Sequence, residues 1–128
     1  MNHKLELQEI NIEDLIYSEY NPRVLSEKEY KNIKNSLIEF GVLENIIVNK
    51  NPKRFNIIIG GHQRVKIMKD LGYKTVQVHY VDIEDIKKEQ ELNIRLNKNQ
   101  GEWDFNLLSN IDENILNIAG FNSYVLYN

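Results

Sequence analysis

Five consecutive residues, Gly60, Gly61, His62, Gln63 and Arg64, combine backbone and side-chain groups that suit anion binding. A short apolar run ends in the two glycines and a helical pattern follows at once, so exposed amides meet the positive end of a helix dipole. Glycine lets a ligand approach the backbone, Arg64 can contact a phosphate oxygen, and His62 and Gln63 can donate hydrogen bonds beside it. The segment predicts a phosphate site, with a plain tight turn as the competing interpretation.

Amide and cationic side chains elsewhere can complete such a site. Asn21 and Arg23 flank a proline that favours extended backbone and leaves both side chains displayed on a loop. At about 100° per residue, Asn93 and Asn97 share one helical face with Gln90. Amides both donate and accept, so this stripe suits recognition of a base, ribose or phosphate. A solvated stripe in an Asn-rich protein is the simpler interpretation.

A group of lysines offers a weaker signal for nucleic acid. Lys66, Lys69 and Lys74 cluster near Arg64 and can contact the phosphates of a duplex, although a solvated surface explains them as well. The sequence shows neither a nucleophile with an adjacent base nor a metal-ligand spacing among Asp, Glu and His. Catalytic residues therefore stay unassigned.

Composition places these candidates in one small folded domain. The 128 residues include 41% apolar and 27% charged side chains, which suffices for one core. With 16 basic and 19 acidic residues, the formal charge of -3 gives no overall attraction to nucleic acid, so DNA contact needs a local patch. The absence of cysteine excludes thiol chemistry, and no apolar run suits a signal peptide or membrane span, which predicts a cytoplasmic protein.

The elements that position the glycine turn follow from hydrophobic periodicity. The turn should join a strand to a helix whose apolar face includes Ile67 and Met68 and which ends at Gly72. The strand is the second half of a hairpin over 46–48 and 55–59. Another strand follows over Thr75 to Val81, and the helix supplies the crossover expected between parallel neighbours.

The N-terminal flank should hold a half-buried strand over residues 4–8 and a single turn over 12–15. A capping box then starts a helix at Ser26, which runs to Phe40 and ends on a left-handed cap at Gly41.

The C-terminal flank should hold a helix from 83 to about 98, capped by Asp82, and a short helix over 104–111. We therefore expect one domain over residues 1–100 and a C-terminal helical extension of it over 101–128.

Taken in order, these segments resemble the N-terminal domain of the ParB/sulfiredoxin superfamily over residues 7–100. The boxes that carry the resemblance are Asn21-Pro22-Arg23, Phe40-Gly41-Val42-Leu43, Ile46-Ile47-Val48, Ile59-Gly60-Gly61-His62-Gln63-Arg64, Leu71-Gly72-Tyr73-Lys74-Thr75-Val76 and the helix to Asn97. The resemblance implies an α/β (α+β) fold, a small mixed sheet of about four strands packed with helices. Leu96-Asn97-Lys98 followed by Gly101-Glu102-Trp103-Asp104 is similar to a phage and mobile-element branch often found with DNA methyltransferases.

The resemblance implies a nucleotide-binding domain that regulates or targets a DNA-related process such as DNA modification or partition. In the partition proteins it implies CTP held by a Gly-Glu-Arg-Arg box and metal aided by a Glu-Asn pair. Here those places read Gly61-His62-Gln63-Arg64 and Leu96-Asn97. Both acidic residues are missing, so binding is better supported than hydrolysis. The sulfiredoxin cysteine and any methyltransferase motif are also missing, which rejects both activities.

The resemblance further implies CTP or ATP/ADP as ligand, with Mg²⁺ as a companion ion. It implies DNA, a DNA-modifying enzyme or a second copy of the chain as partner, and no membrane. The expected nucleotide-binding residues are Gly60, Gly61, His62, Gln63, Arg64, Asn21, Arg23, Asn93 and Asn97. One alternative is a small NTPase or phosphotransferase in which His62 or Glu19 orients the attacking group. Another is a DNA-binding module without nucleotide that uses Lys66, Lys69 and Lys74.

Overall fold

The fold is built around a four-stranded mixed sheet with the strand order β1-β4-β2-β3. The computed structural model describes residues 6–21 and 24–98. Its strands are β1 (Leu7–Asn11), β2 (Ile46–Asn49), β3 (Ile58–Gly60) and β4 (Thr75–Val81). Its helices are α1 (Glu27–Phe40), α2 (His62–Asp70) and α3 (Ile86–Lys98). The expected α/β fold with about four strands is confirmed.

The connection through α2 differs from the expected crossover between parallel neighbours. β4 is parallel to β2 and antiparallel to β1, whereas β3 lies at the sheet edge, antiparallel to β2. The strands that α2 joins, β3 and β4, are therefore separated by β2 and run in opposite directions. The prediction was wrong because the hairpin reverses the chain at β3, so the parallel partner of β4 is the earlier strand of that hairpin.

The first strand begins at Leu7, within the predicted 4–8, and its first three residues are exposed rather than alternately buried. β1 covers Leu7–Asn11, where Leu7 is 44% exposed and Ile10 is partly buried. Among the described residues β1 is an edge strand that pairs with β4, and its inward contacts come from Ile10 and the following Ile12. The single turn over 12–15 is confirmed as a 3-10 turn, Ile12–Asp14, with the Asn11 side chain accepting from the Glu13 amide.

The hairpin is confirmed, but its second strand is shorter than predicted. β3 starts at Ile58 rather than at residue 55, because Asn56 adopts a positive φ of 65° and breaks the extended run. Phe55 before it is 53% exposed. The intervening loop contains a 3-10 turn, Pro52–Arg54.

The capping box at the start of α1 is confirmed. The Ser26 side chain accepts from the Glu29 amide, and the Glu29 side chain accepts from the Ser26 amide. Gly41 has the expected positive φ of 76°, but its ψ of −165° is not that of a left-handed helical residue, while its amide still donates to the Leu37 carbonyl.

The third helix starts at Ile86 instead of residue 83, and its cap is not Asp82. The Asp85 carboxylate accepts from the Lys87 amide at 2.9 Å, whereas the Asp82 carboxylate accepts from the Asn51 side chain. Residues 101–128, including the helix expected over 104–111, lie outside the described residues, so that extension stays a prediction.

The core lies between the sheet and the helices. β4 alternates as predicted, with Val76, Val78 and Tyr80 buried. The other buried apolar residues of this cluster are Ile12, Leu15, Leu37, Ile46, Val48, Ile58, Val65, Ile67 and Met68. Together they fix the position of α2 against the sheet, and with it the turn at the helix start.

Candidate functional site

A cleft of about 730 Å³ opens where β3 passes into α2. Its walls come from the second half of α1 and the loop after it, from β2 and β3, from the first turn of α2 and from the end of α3. The predicted site residues that line this cleft are Gly60, Gly61, His62, Gln63, Arg64, Asn21, Asn93 and Asn97. Arg23 lies outside the described residues. Segments far apart in sequence thus bring the predicted set to one place.

The turn puts a conformational demand on Gly61 and leaves little room for a side chain at Gly60 or Gly61. Gly61 has φ 98° and ψ 18°, a left-handed conformation that a residue with a side chain adopts at a cost. A Cβ there would lie 2.7 Å from Cδ1 of Ile46. A Cβ on Gly60 would lie 2.9 Å from Cδ1 of Leu96, which shows how closely α3 packs on the turn.

The start of α2 offers backbone amides to the cleft. Gly61 is the N-cap of this nine-residue helix and has no side chain to accept from the first-turn amides. The same amides carry the positive end of the helix dipole, which favours an anion at this point.

Arg64 is held in the cleft by an acidic side chain. Its guanidinium forms an ion pair with the Glu44 carboxylate, on the loop between α1 and β2. Glu44 also lines the cleft. The Arg64 side chain is 21% exposed and that of Glu44 is 69% exposed, so an incoming anion would meet Arg64 with its charge partly matched.

His62 lines the cleft but is anchored on its other side. It is 6% exposed, and its Nε2 accepts from the Ser18 amide at 3.1 Å and lies 2.8 Å from Ser18 Oγ. Because an amide can only donate, Nε2 carries the lone pair and the proton sits on Nδ1. Burial lowers the pKa of His62 to about 4, against an opposing effect of Glu89. The imidazole is therefore neutral at pH 7, and its basic nitrogen is already occupied.

Asn93 is the most buried of the predicted polar ligands. It is 2% exposed, and its Nδ2 donates to the Ile59 carbonyl at 2.8 Å. Its Oδ1 has no hydrogen-bond partner among the described residues. Asn97, one turn later, lines the same cleft and is partly buried, whereas Gln90 is partly buried but does not line it.

The sequence patterns did not predict the buried ionic network that lies behind the cleft. Glu89, fully buried on α3, accepts from Arg54, Asn49 and Tyr20 at 2.7 to 3.1 Å. Burial raises the pKa of Glu89, but these hydrogen bonds outweigh it and the net pKa is lowered. Helical spacing offered a signal for Glu89, because it lies four residues before Asn93 and shares its helix face.

The three lysines do not act as one free patch. Lys66 and Lys74 are exposed, but Nζ of Lys69 lies 5.0 Å above the centre of the Tyr17 ring, which also stacks on His62. Lys69 therefore has a cation-π contact that competes with nucleic acid.

Over residues 6–21 and 24–98, no helix is long and apolar enough to cross a membrane. In the same part of the chain, no group of three His, Cys, Asp or Glu residues is arranged to hold a metal ion.

Comparison with known proteins identifies sequence relatives of this chain. The profile of the ParB N-terminal domain matches residues 1–100. A probable chromosome-partitioning protein ParB from Campylobacter jejuni is 33% identical over 79 residues, which are 61% of this chain and 28% of that protein. The chain thus spans less than a third of the length of that relative.

Solved structures share the fold. The C-terminally truncated chromosome-partitioning protein ParB from Caulobacter crescentus, complexed with CTP-γ-S, has a TM-score of 0.68 at 24% identity, over 94% of this chain and 74% of that chain. Sulfiredoxin from Arabidopsis thaliana has a TM-score of 0.56 at 18% identity, over 71% of this chain and 99% of that chain. The fold is therefore that of the ParB/sulfiredoxin superfamily. The phage branch stays a prediction, since its signature extends into residues 101–104, outside the described ranges.

Proposed function

Because this chain belongs to the ParB N-terminal domain family, we propose that it is a nucleotide-binding module that regulates or targets a DNA-related process. The observation that carries the proposal is the convergence, in one cleft, of the α2 N-terminus, the Arg64 guanidinium and the Asn93 and Asn97 amides. The complex of a ParB of the same fold with CTP-γ-S supports a nucleotide as the ligand.

The chemistry of the cleft suits CTP or ATP/ADP. The backbone amides at the start of α2 and the Arg64 cation attract phosphate oxygens, and the asparagine amides can pair with a sugar or base. The amide oxygen of Asn97 also fits a Mg²⁺ ion that arrives with the phosphates, since Mg²⁺ prefers oxygen ligands. Such an ion would neutralise phosphate charge beside Glu44.

Binding is better supported than phosphoryl transfer. The acidic group that lines the cleft, among the described residues, is Glu44, and it is paired with Arg64. The Nε2 atom of His62 accepts from Ser18, and Glu19, the other suggested base, pairs with Arg54 at 3.1 Å. Each of these groups already has a partner and is not available as a general base, so the NTPase alternative has less structural support.

Isothermal titration tests the proposal directly. CTP, ATP, GTP and their diphosphates are titrated into the chain with and without Mg²⁺. We expect binding by at least one of them and its loss in Arg64→Ala. Arg95→Ala is the matched control, because Arg95 is a 68% exposed cation on α3 that does not line the cleft. No heat from any nucleotide at millimolar concentration would refute nucleotide binding.

Direct DNA binding is a second proposal, and the exposure of Lys66 and Lys74 supports it. Removing both cations should weaken duplex binding and flatten its dependence on salt. A gel shift at low ionic strength with wild type and Lys66→Ala/Lys74→Ala measures this. No shift by the wild-type chain would remove the proposal.

A further inference from the structure

Asn93 has an unmet hydrogen-bonding demand inside the cleft. Its side chain lines the cleft and is 2% exposed. Its Oδ1 is buried and unpartnered within the part of the chain that the structure describes. Buried amide oxygens are nearly always paired, because leaving one unpaired costs free energy. A ligand that brings a donor to this acceptor would therefore bind favourably.

The Ile59 carbonyl determines which atom of the Asn93 side-chain amide is left without a partner. The Asn93 amide bonds to the Ile59 carbonyl, and a carbonyl can only accept, so the NH₂ group must face it. Flipping the amide would place two oxygens against each other. Oδ1 is thus the atom left for a partner, and that partner must carry an N–H or O–H.

The Asn93 side chain is held close to the turn that opens α2. Ile59 precedes Gly61 by two residues, so its carbonyl lies within about 7 Å of the turn that opens α2. A donor that reaches Oδ1 of Asn93 is therefore close to any phosphate held by the first amides of that helix.

We infer that Asn93 selects ligands that carry a hydrogen-bond donor, a hydroxyl or an amino group, near their phosphates. The inference rests on the proposed nucleotide function and adds a specificity rule to it. A nucleotide offers such donors as the hydroxyls of its ribose and as the N–H groups of its base, among them the amino groups of cytosine and adenine. Inorganic tripolyphosphate offers phosphate oxygens without ribose hydroxyls or base N–H groups.

A double-mutant cycle in which one partner is the ligand tests the rule. Wild type and Asn93→Leu are titrated with whichever of CTP or ATP binds more tightly, with its 2′-deoxy and 3′-deoxy forms, and with UTP or ITP, which lack the base amino group. We expect one donor deletion to weaken wild-type binding by about tenfold or more and to change Asn93→Leu by less than about twofold. Tripolyphosphate should bind both proteins equally.

The controls separate failure of the rule from failure of the proposed function. Gln90→Leu makes the same change on the same helix outside the cleft and should retain the wild-type donor preference. Asn93→Ser serves as a second variant if Asn93→Leu does not fold. Nucleotide binding with equal donor effects in wild type and both Asn93 variants overturns the rule alone. No binding of any nucleotide overturns the proposed function and the rule with it.

Discussion

The pairing of Arg64 with Glu44 determines what an incoming anion must displace. The Glu44 carboxylate occupies the guanidinium that a phosphate would contact, and its own side chain is mostly exposed. We expect Glu44→Gln to tighten the binding of tripolyphosphate by up to about fivefold, because an exposed ion pair contributes about 1 kcal/mol or less. Titration calorimetry at low salt measures it. Glu39→Gln, an exposed acid on α1 outside the cleft, is the control; equal affinities for all three proteins would contradict the expectation.

His62 should make stability depend on pH. Its pKa falls from the usual 6.5 to about 4 on folding because it is buried. Between pH 6.5 and 4, His62 therefore takes up a proton in the unfolded chain but not in the folded one. The free energy of unfolding is at its full value above pH 6.5 and decreases as the pH falls toward 4. The loss should be roughly 1–3 kcal/mol.

Urea unfolding of wild type and His62→Gln at pH 7.5 and 4.5 measures this contribution. Gln retains an acceptor for the Ser18 amide but does not titrate. We expect the variant to lose less stability between the two pH values than the wild type. An identical loss in both proteins would assign the pH dependence to groups other than His62.

The turn between β3 and α2 depends on glycine for two separable reasons, backbone conformation and space. Gly61 and Gly72 both have positive φ, but a Cβ would meet Ile46 at Gly61 and nothing within 4 Å at Gly72. We expect Gly72→Ala to cost about 1 kcal/mol of unfolding free energy and Gly61→Ala clearly more. Urea denaturation of the two variants compares them. Equal losses would show that Ile46 moves aside without cost.

The buried carboxylate of Glu89 joins α3 to β2 and to the loop that contains the 3-10 turn Pro52–Arg54. Arg54→Met removes its cation and should destabilise the fold by about 3–5 kcal/mol, because a buried charge is left uncompensated. Lys53→Met is the control, since Lys53 and its partner Glu84 are both exposed and such pairs contribute about 1 kcal/mol or less. Urea unfolding measures both. A loss in Arg54→Met no larger than in Lys53→Met would rule out this role for the network.

Local patterns in the sequence predicted the elements better than their connections. The capping box at Ser26, the alternation of β4 and the glycine turn each depend on a few neighbouring residues, and all three are confirmed. The separation of β3 from β4 by β2 depends on pairing between distant segments, which periodicity does not encode. The Glu89 network was missed for the same reason, because Tyr20, Asn49 and Arg54 meet it only in three dimensions.

The same limit applies to the candidate site. The residues from Gly60 to Arg64 could be predicted as an anion site because one contiguous segment supplies them. Two contacts could not be predicted in this way. Arg64 pairs with Glu44, which is 20 residues away in sequence, and His62 is anchored by Ser18, which is 44 residues away. These two contacts change the interpretation, because they make Arg64 a matched charge and His62 a neutral, buried anchor.

For the whole molecule, the cleft is assembled from α1, α2 and α3 and from the β2–β3 side of the sheet, so its occupancy should be linked to global stability. A ligand that binds only the folded chain stabilises it by about 2.7 kcal/mol at a hundredfold excess over Kd, which raises the melting temperature by roughly 10 °C for a domain of this size. Thermal melts followed by circular dichroism, with the best nucleotide at that excess, measure the shift. It should vanish in Arg64→Ala and persist in Arg95→Ala, whose cation lies outside the cleft. Calorimetric binding without any shift would mean that the nucleotide binds the unfolded chain equally well, and the cleft would then not be its site.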